Sequence, residues 1–138
     1  MRLTDLLEEM EYDCVQGEID REISTLAYDS RKVEEGSVFI CITGAARDGH
    51  EFAGEVVENG ASVLVVEKDV EVEDSVTVIK VENTRAALAK LSAAYFGHPA
   101  KELVTIGITG TKGKTTATYM VQSILEASGY KTGLIGTI

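Results

Sequence analysis

The chain has 138 residues, 44% of them apolar, with 13 Lys and Arg against 23 Asp and Glu for a formal net charge of −10. That length suits one domain, or one and a part, with a real hydrophobic core. The acidic balance excludes a nucleic-acid binder, whose phosphate partner calls for a basic surface, and no run approaches the ~20 apolar residues of a membrane span.

The N-terminus, Met1-Arg-Leu-Thr-Asp-Leu-Leu-Glu-Glu9, is amphipathic and acidic, unlike a signal peptide. Cys14 and Cys41 stand far apart in no metal or redox spacing, which reads as inert thiols in a reducing cytoplasm. His50 and His98 are too scattered to suggest a metal cluster.

Residues 3–11 carry Leu3, Leu6, Leu7 and Met10 at helical spacing and predict a short helix. Ile23 to Tyr28 reads as a strand, followed by the polar stretch Asp29 to Gly36. Ser37 to Thr43 is a near-continuous apolar and β-branched run, the pattern of a buried strand. A loop, Gly44 to Gly49, leads into helical spacing over His50 to Asn59, and Gly60 is a natural stop. Asp48 is placed to cap that helix.

Ala61 to Glu67 and Val76 to Val81 predict two more strands, with an acidic turn, Asp69 to Asp74, between them. Asn83 then caps a helix whose apolar face is Ala87, Leu88, Leu91, Ala94 and Tyr95. Gly97-His-Pro99, which holds the only proline, ends it and marks a domain boundary. Beyond it come a strand at 103–109, a glycine-rich turn, a helix at 115–128 and a strand at 131–138. These make one βαβ unit, too little sheet for a domain. The chain therefore reads as cut.

The densest signal is Val104-Thr-Ile-Gly-Ile-Thr-Gly-Thr-Lys-Gly-Lys-Thr-Thr116. Strand, Gly-rich turn, Lys-Thr and helix is the layout of a phosphate-binding loop. Its backbone N–H groups and helix N-terminus attract an anion. Gly110, Thr111, Lys112, Gly113, Lys114, Thr115 and Thr116 are the candidate ATP-phosphate residues. Lys114 would reach the terminal phosphates and the Thr115 hydroxyl would hold Mg²⁺. The strict motif asks for glycine at position 108, where this chain has Ile108.

Three blocks give a wider resemblance. Tyr28-Asp-Ser-Arg31, Glu35-Gly-Ser-Val-Phe39 and Gly44 with Asp48-Gly-His-Glu-Phe52 look like the substrate-nucleotide domain of the Mur ligase family of bacterial cell-wall synthesis. Thr109 to Thr116 is similar to that family's ATP loop, with Lys112 where asparagine is most often found. Tyr95-Phe-Gly-His-Pro99 and Gly133-Leu-Ile-Gly-Thr137 resemble the subfamily that adds the third residue of the peptide. The resemblance covers the whole chain.

It implies an α/β fold: a Rossmann-like, uridine-nucleotide-binding domain over residues 1–98, then the first βαβ unit of a P-loop ATPase domain at 99–138. Tyr28 and Ser30 would contact the uridine nucleotide, with Ala45, Ala46 and Arg47 as the other lip. The implied reaction is cytoplasmic. ATP phosphorylates the carboxylate of a UDP-N-acetylmuramoyl dipeptide, and a free amino acid attacks the acyl phosphate to form the amide. Lys114 would be the catalytic group and Mg²⁺ the metal, because phosphoryl transfer is largely positioning and charge neutralisation. The alternatives are the related ligase adding the terminal dipeptide and a non-catalytic nucleotide-sugar-binding module. The apolar stripe of helix 115–128 would leave an open face, which favours self-association.

Overall fold

A computed structural model describes residues 1–44 and 47–136. The chain divides into two compact units, Met1–Glu102 and Leu103–Ile138. The division falls beyond the expected boundary at residue 98. Lys101 reaches Glu9 at 3.3 Å, which holds the Pro99–Lys101 turn within the first unit.

The first unit is built on five strands: β1 (Asp13–Gln16), β2 (Leu26–Ala27), β3 (Ser37–Ile40), β4 (Ala61–Val66) and β5 (Thr77–Lys80). Their order is β1-β5-β4-β3-β2, with β2 to β5 parallel and β1 antiparallel on β5. Three helices accompany them: α1 (Leu3–Leu7), α2 (Ala53–Glu58) and α3 (Thr84–Tyr95). The fold class is α/β, as expected.

The continuous apolar strands follow from burial on both faces. Val38, Ile40, Val63, Val65 and Ile79 pack with Leu3, Leu6 and Leu7 of α1 and with Ala87 and Leu91 of α3. Phe39, Leu64, Val66 and Val78 pack with Ala53 and Val56 of α2 and with Val70 and Val72 of the β4–β5 connection. Each fully buried Val, Leu, Ile or Phe among them stabilises by roughly 1.5–3 kcal/mol.

The elements depart from expectation where local bonding competes with the pattern. Strand 23–28 shrinks to Leu26–Ala27, because Ile23 N–H donates to Met1 O and Ser24 N–H to Gly36 O, both at 2.9 Å, outside a regular ladder. The helix at 50–59 begins as a 3₁₀ turn, Gly49–Phe52, before α2. Strand β1 has no counterpart among the expected elements. It is an exposed edge without an apolar alternation, held by ladder bonds and by Gln16 Nε2 donating to Glu73 O and Val76 O at 2.7 and 2.9 Å.

The second unit contains α4 (Lys114–Ala127), where a helix is expected. Its end is locked by Gly129 N–H to Glu126 O and Tyr130 N–H to Leu125 O, both 3.0 Å. The strands expected at 103–109 and 131–138 are corrected: residues 104–110 and 131–136 form no ladder, and Thr137 and Ile138 lie outside the described residues. A strand exists by its hydrogen-bonded neighbours and by a face to bury. Here Val104 is 93% exposed and Ile135 fully so. The βαβ unit is, in the described residues, one helix with two unladdered flanks.

Candidate functional site

The carboxyl ends of β2, β3 and β4 carry three adjacent loops, the edge at which parallel sheets bind ligands. After β2 comes Tyr28, 64% exposed, then the turn Ser30–Lys32. Asp29 shapes that turn. Its carboxylate accepts Arg31 N–H at 3.1 Å, Arg31 Nε at 2.9 Å and Arg31 Nη2 at 2.7 Å. The Arg31 side-chain bonds hold the Asp29 carboxyl down to about 2. Ser30 opens the turn, half-buried beside this clip.

After β3 the chain doubles back. Gly49 N–H donates to Ile42 O and Gly44 N–H to Arg47 O, both at 2.9 Å, and Thr43 pairs with Asp48 as an antiparallel bridge. A Cβ on Gly49 would lie 2.7 Å from Ile42 N, so only glycine fits there. Arg47 is exposed on one arm. Ala45 and Ala46, expected in the same lip, lie outside the described residues.

Asp48 anchors the loop. It caps the following turn by accepting His50 N–H at 3.1 Å, as expected, and it also accepts His50 Nδ1 at 2.5 Å and Thr43 Oγ1 at 3.2 Å. Lys68 Nζ lies 2.5 Å from its other oxygen, and this bond most of all holds the Asp48 carboxyl well below the usual carboxylate range. His50 Nε2 accepts Glu67 N–H at 2.9 Å. An amide can only donate, so the ring is the neutral Nδ1–H tautomer. The Glu67 carboxylate accepts Thr84 N–H at 2.7 Å and Thr84 Oγ1 at 2.8 Å at the start of α3, and these bonds lower its pKa. Arg85 Nη2 donates back to Thr43 O at 3.1 Å.

Sequence reasoning did not find Glu67, Lys68, Thr84 or Arg85. They belong to different elements with no spacing motif. The only trace was a carboxylate directly ending an apolar strand. Cys41, next to this loop, is buried, and burial pushes its thiol up to about 12, so it is an inert thiol.

In the second unit, Gly113 caps α4 with φ 75°, a left-handed backbone that glycine adopts without strain. No side chain caps the helix, so its first amides face outward around Thr115 and Thr116. Lys114 Nζ donates to Gly110 O at 2.6 Å, closing the span from Gly110 through Thr111, Lys112 and Gly113. A glycine-capped helix start with a lysine ammonium held on the preceding loop suits a phosphate group. For Mg²⁺ the Thr115 hydroxyl is one oxygen donor, and among the described residues no group of three His, Cys, Asp or Glu could hold a metal ion.

A cavity of about 530 Å³ lies at the other end of the same sheet edge, lined by Glu11, Tyr12, Asp13, Glu67, Lys80, Val81 and Glu82. Its carboxylates outnumber its lysine, which disfavours an anionic ligand. No described helix is long and apolar enough to cross a membrane.

Comparison with known proteins matches residues 22–96 to the family model "Mur ligase family, catalytic domain". Ligases named UDP-N-acetylmuramoyl-L-alanyl-D-glutamate–2,6-diaminopimelate ligase are similar over the whole chain. The one from Clostridium perfringens is 46% identical and that from Clostridium botulinum 50% identical. The chain spans 28% and 29% of their lengths. Among solved structures, MurF from Acinetobacter baumannii superposes with a TM-score of 0.72 at 31% identity, over 91% of this chain and 27% of that one. A diaminopimelate ligase structure superposes with a TM-score of 0.68 at 22% identity, over 94% of this chain and 26% of that one, and so shares the fold. With the family model covering more than half of its residues, the chain belongs to the Mur ligase family.

Proposed function

We propose that this chain is part of an ATP-dependent ligase that adds diaminopimelate as the third residue of a UDP-N-acetylmuramoyl dipeptide. The observation that carries this reading is identity of 46% and 50% to diaminopimelate ligases over the whole of this chain. Tyr28 and Ser30 after β2, with Arg47, Ala45 and Ala46 after β3, form the uridine diphosphate site. The uridine diphosphate does not itself react, and the energy of holding it serves to position the substrate carboxylate.

Lys114, Gly110, Gly113 and the first amides of α4 hold the ATP phosphates, with Thr111, Lys112 and Thr116 completing the cradle and Thr115 as a magnesium ligand. ATP supplies the activated phosphoryl group, with Mg²⁺ neutralising its charge. Lys114 and the loop amides neutralise charge as the carboxylate is phosphorylated.

Calorimetric titration of the chain with the UDP-linked dipeptide tests the first site. Binding is expected, and Ser30→Ala should weaken it by about 1 kcal/mol, the worth of one hydrogen bond. Failure of the unaltered chain to bind overturns the uridine reading. Equal affinities would remove only Ser30 from it.

A further inference from the structure

The contacts around Asp48 close into a ring. Thr43 Oγ1 and His50 Nδ1 both donate to Asp48 Oδ1. His50 Nε2 accepts from Glu67 N at the end of β4, and the Glu67 carboxylate accepts from Thr84 at the start of α3. Arg85, next along α3, returns to Thr43 O. Five segments of the fold therefore meet in one circuit: both arms of the β3 loop, the turn after it, the end of β4 and the start of α3.

Two features make this more than generic packing. His50 is nearly enclosed, its side chain 7% exposed, and it uses both ring nitrogens in the circuit. Arg85, by contrast, is an exposed residue of α3 that donates to a backbone carbonyl on the loop's first arm. The loop is thus gripped from its second arm through Asp48 and from its first through Arg85. Gly49 brings the second arm against the Ile42 backbone, where a Cβ would lie 2.7 Å from Ile42 N.

We propose that Asp48, His50 and Arg85 are positioning residues that fix the described arms of the β3 loop, Thr43 on one side and Arg47 and Asp48 on the other, for a nucleoside diphosphate bound at the β2–β3 edge. This rests on the uridine reading above. The ring does not touch the ligand in this scheme. It removes the conformational freedom that these two arms would otherwise lose on binding, which raises affinity.

The test is calorimetric titration of the whole chain with UDP as probe, for the unaltered protein, His50→Ala, His50→Asn and Arg85→Ala. His50→Ala is expected to raise Kd about five- to tenfold, the equivalent of one or more lost hydrogen bonds. His50→Asn, whose amide can still donate to Asp48, should recover part of that loss. Arg85→Ala changes an exposed side chain, so its fold is preserved, and it should weaken UDP several-fold. If His50→Ala does not fold, Arg85→Ala decides. Tight UDP binding by the unaltered chain with an unchanged Kd in Arg85→Ala and His50→Asn overturns the positioning role alone. Absence of UDP binding by the unaltered chain overturns the uridine reading and takes this inference with it.

Discussion

Lys114 Nζ folds back to the Gly110 carbonyl at 2.6 Å, so the side chain spans the loop from which its own helix starts. A lysine in the first turn of a helix opposes the macrodipole, and the geometry offsets this by directing the charge onto a carbonyl. An incoming phosphate could compete with that carbonyl for the ammonium, since a charge-assisted bond to an anion is the stronger one.

Lys114→Ala is therefore expected to leave α4 helical, alanine being the best helix former. It should weaken Mg²⁺–ATP binding by tenfold or more, since a hydrogen bond to a charged group is worth about 1.5–3 kcal/mol. Competition against a fluorescent ATP analogue, with circular dichroism as the folding check, measures both. Unchanged affinity would remove Lys114 from the site.

Much of this was legible from local pattern. The buried strands Ser37–Ile40 and Ala61–Val66 announce themselves as apolar runs, and Asn83 caps α3 through Ala86 N–H at 2.9 Å as its position predicts. The start of α4 at Lys114 was legible because Gly113 directly before a helical pattern marks a turn entering a helix. Two things were not. Val104 to Thr109 has strand composition, but composition cannot supply the neighbouring strands that a ladder needs. The circuit through Thr43, Asp48, His50, Glu67, Thr84 and Arg85 joins residues up to 42 apart in sequence, in the Arg85–Thr43 bond, and no periodicity encodes such contacts.

Gly49 and Gly54 make a matched pair, close in sequence and opposite in environment. A Cβ on Gly49 meets Ile42 N at 2.7 Å and Ile42 O at 2.9 Å, both backbone atoms that cannot yield cheaply. A Cβ on Gly54, within α2, meets nothing within 4 Å. Gly49→Ala should cost about 1–3 kcal/mol, the range of overpacking. Gly54→Ala should stabilise by roughly 0.5–1 kcal/mol, through helix propensity and a less flexible unfolded chain. Urea unfolding midpoints of the two variants give the comparison. Equal shifts would show that the loop after β3 can be reseated.

Acid sensitivity follows from Asp48. The Lys68 and His50 bonds hold its carboxyl below the unfolded value of about 3.9, so below that pH the unfolded chain binds the proton more readily. The stabilisation from these bonds is complete above about pH 4 and is lost as pH falls toward the folded value. Asp29 is lowered for a similar reason, but its partner Arg31 is 85% exposed and Lys68 is 58% exposed, so high salt screens both and leaves Asp48 the bonds to the enclosed His50. In about 1 M salt, urea midpoints between about pH 4 and pH 2 should fall less steeply in Asp48→Asn than in the unaltered chain. Parallel slopes would mean that Asp48 is not a principal acid-labile group.

Helices α3 and α4 test how much of each unit's order comes from burial. They are similar in length, 12 and 14 residues, and both end in bonds that satisfy their last carbonyls. Helix α3 buries Thr84, Ala87 and Leu91 against the sheet, whereas α4 buries no residue, and its Met120 and Ile124 are 63% and 65% exposed. A helix of this length is marginal in water on propensity alone, and most helical stability comes from a packed face. Hydrogen exchange followed by mass spectrometry is expected to show slow amides over Ala87 to Tyr95. Over Ala117 to Ala127 exchange should be fast, approaching that of an open chain. Adding Mg²⁺–ATP should slow exchange first at Thr115 and Thr116, since an anion at the N-terminus stabilises the turn it touches. Protection of α4 equal to that of α3 without nucleotide would mean that its apolar stripe is buried in solution.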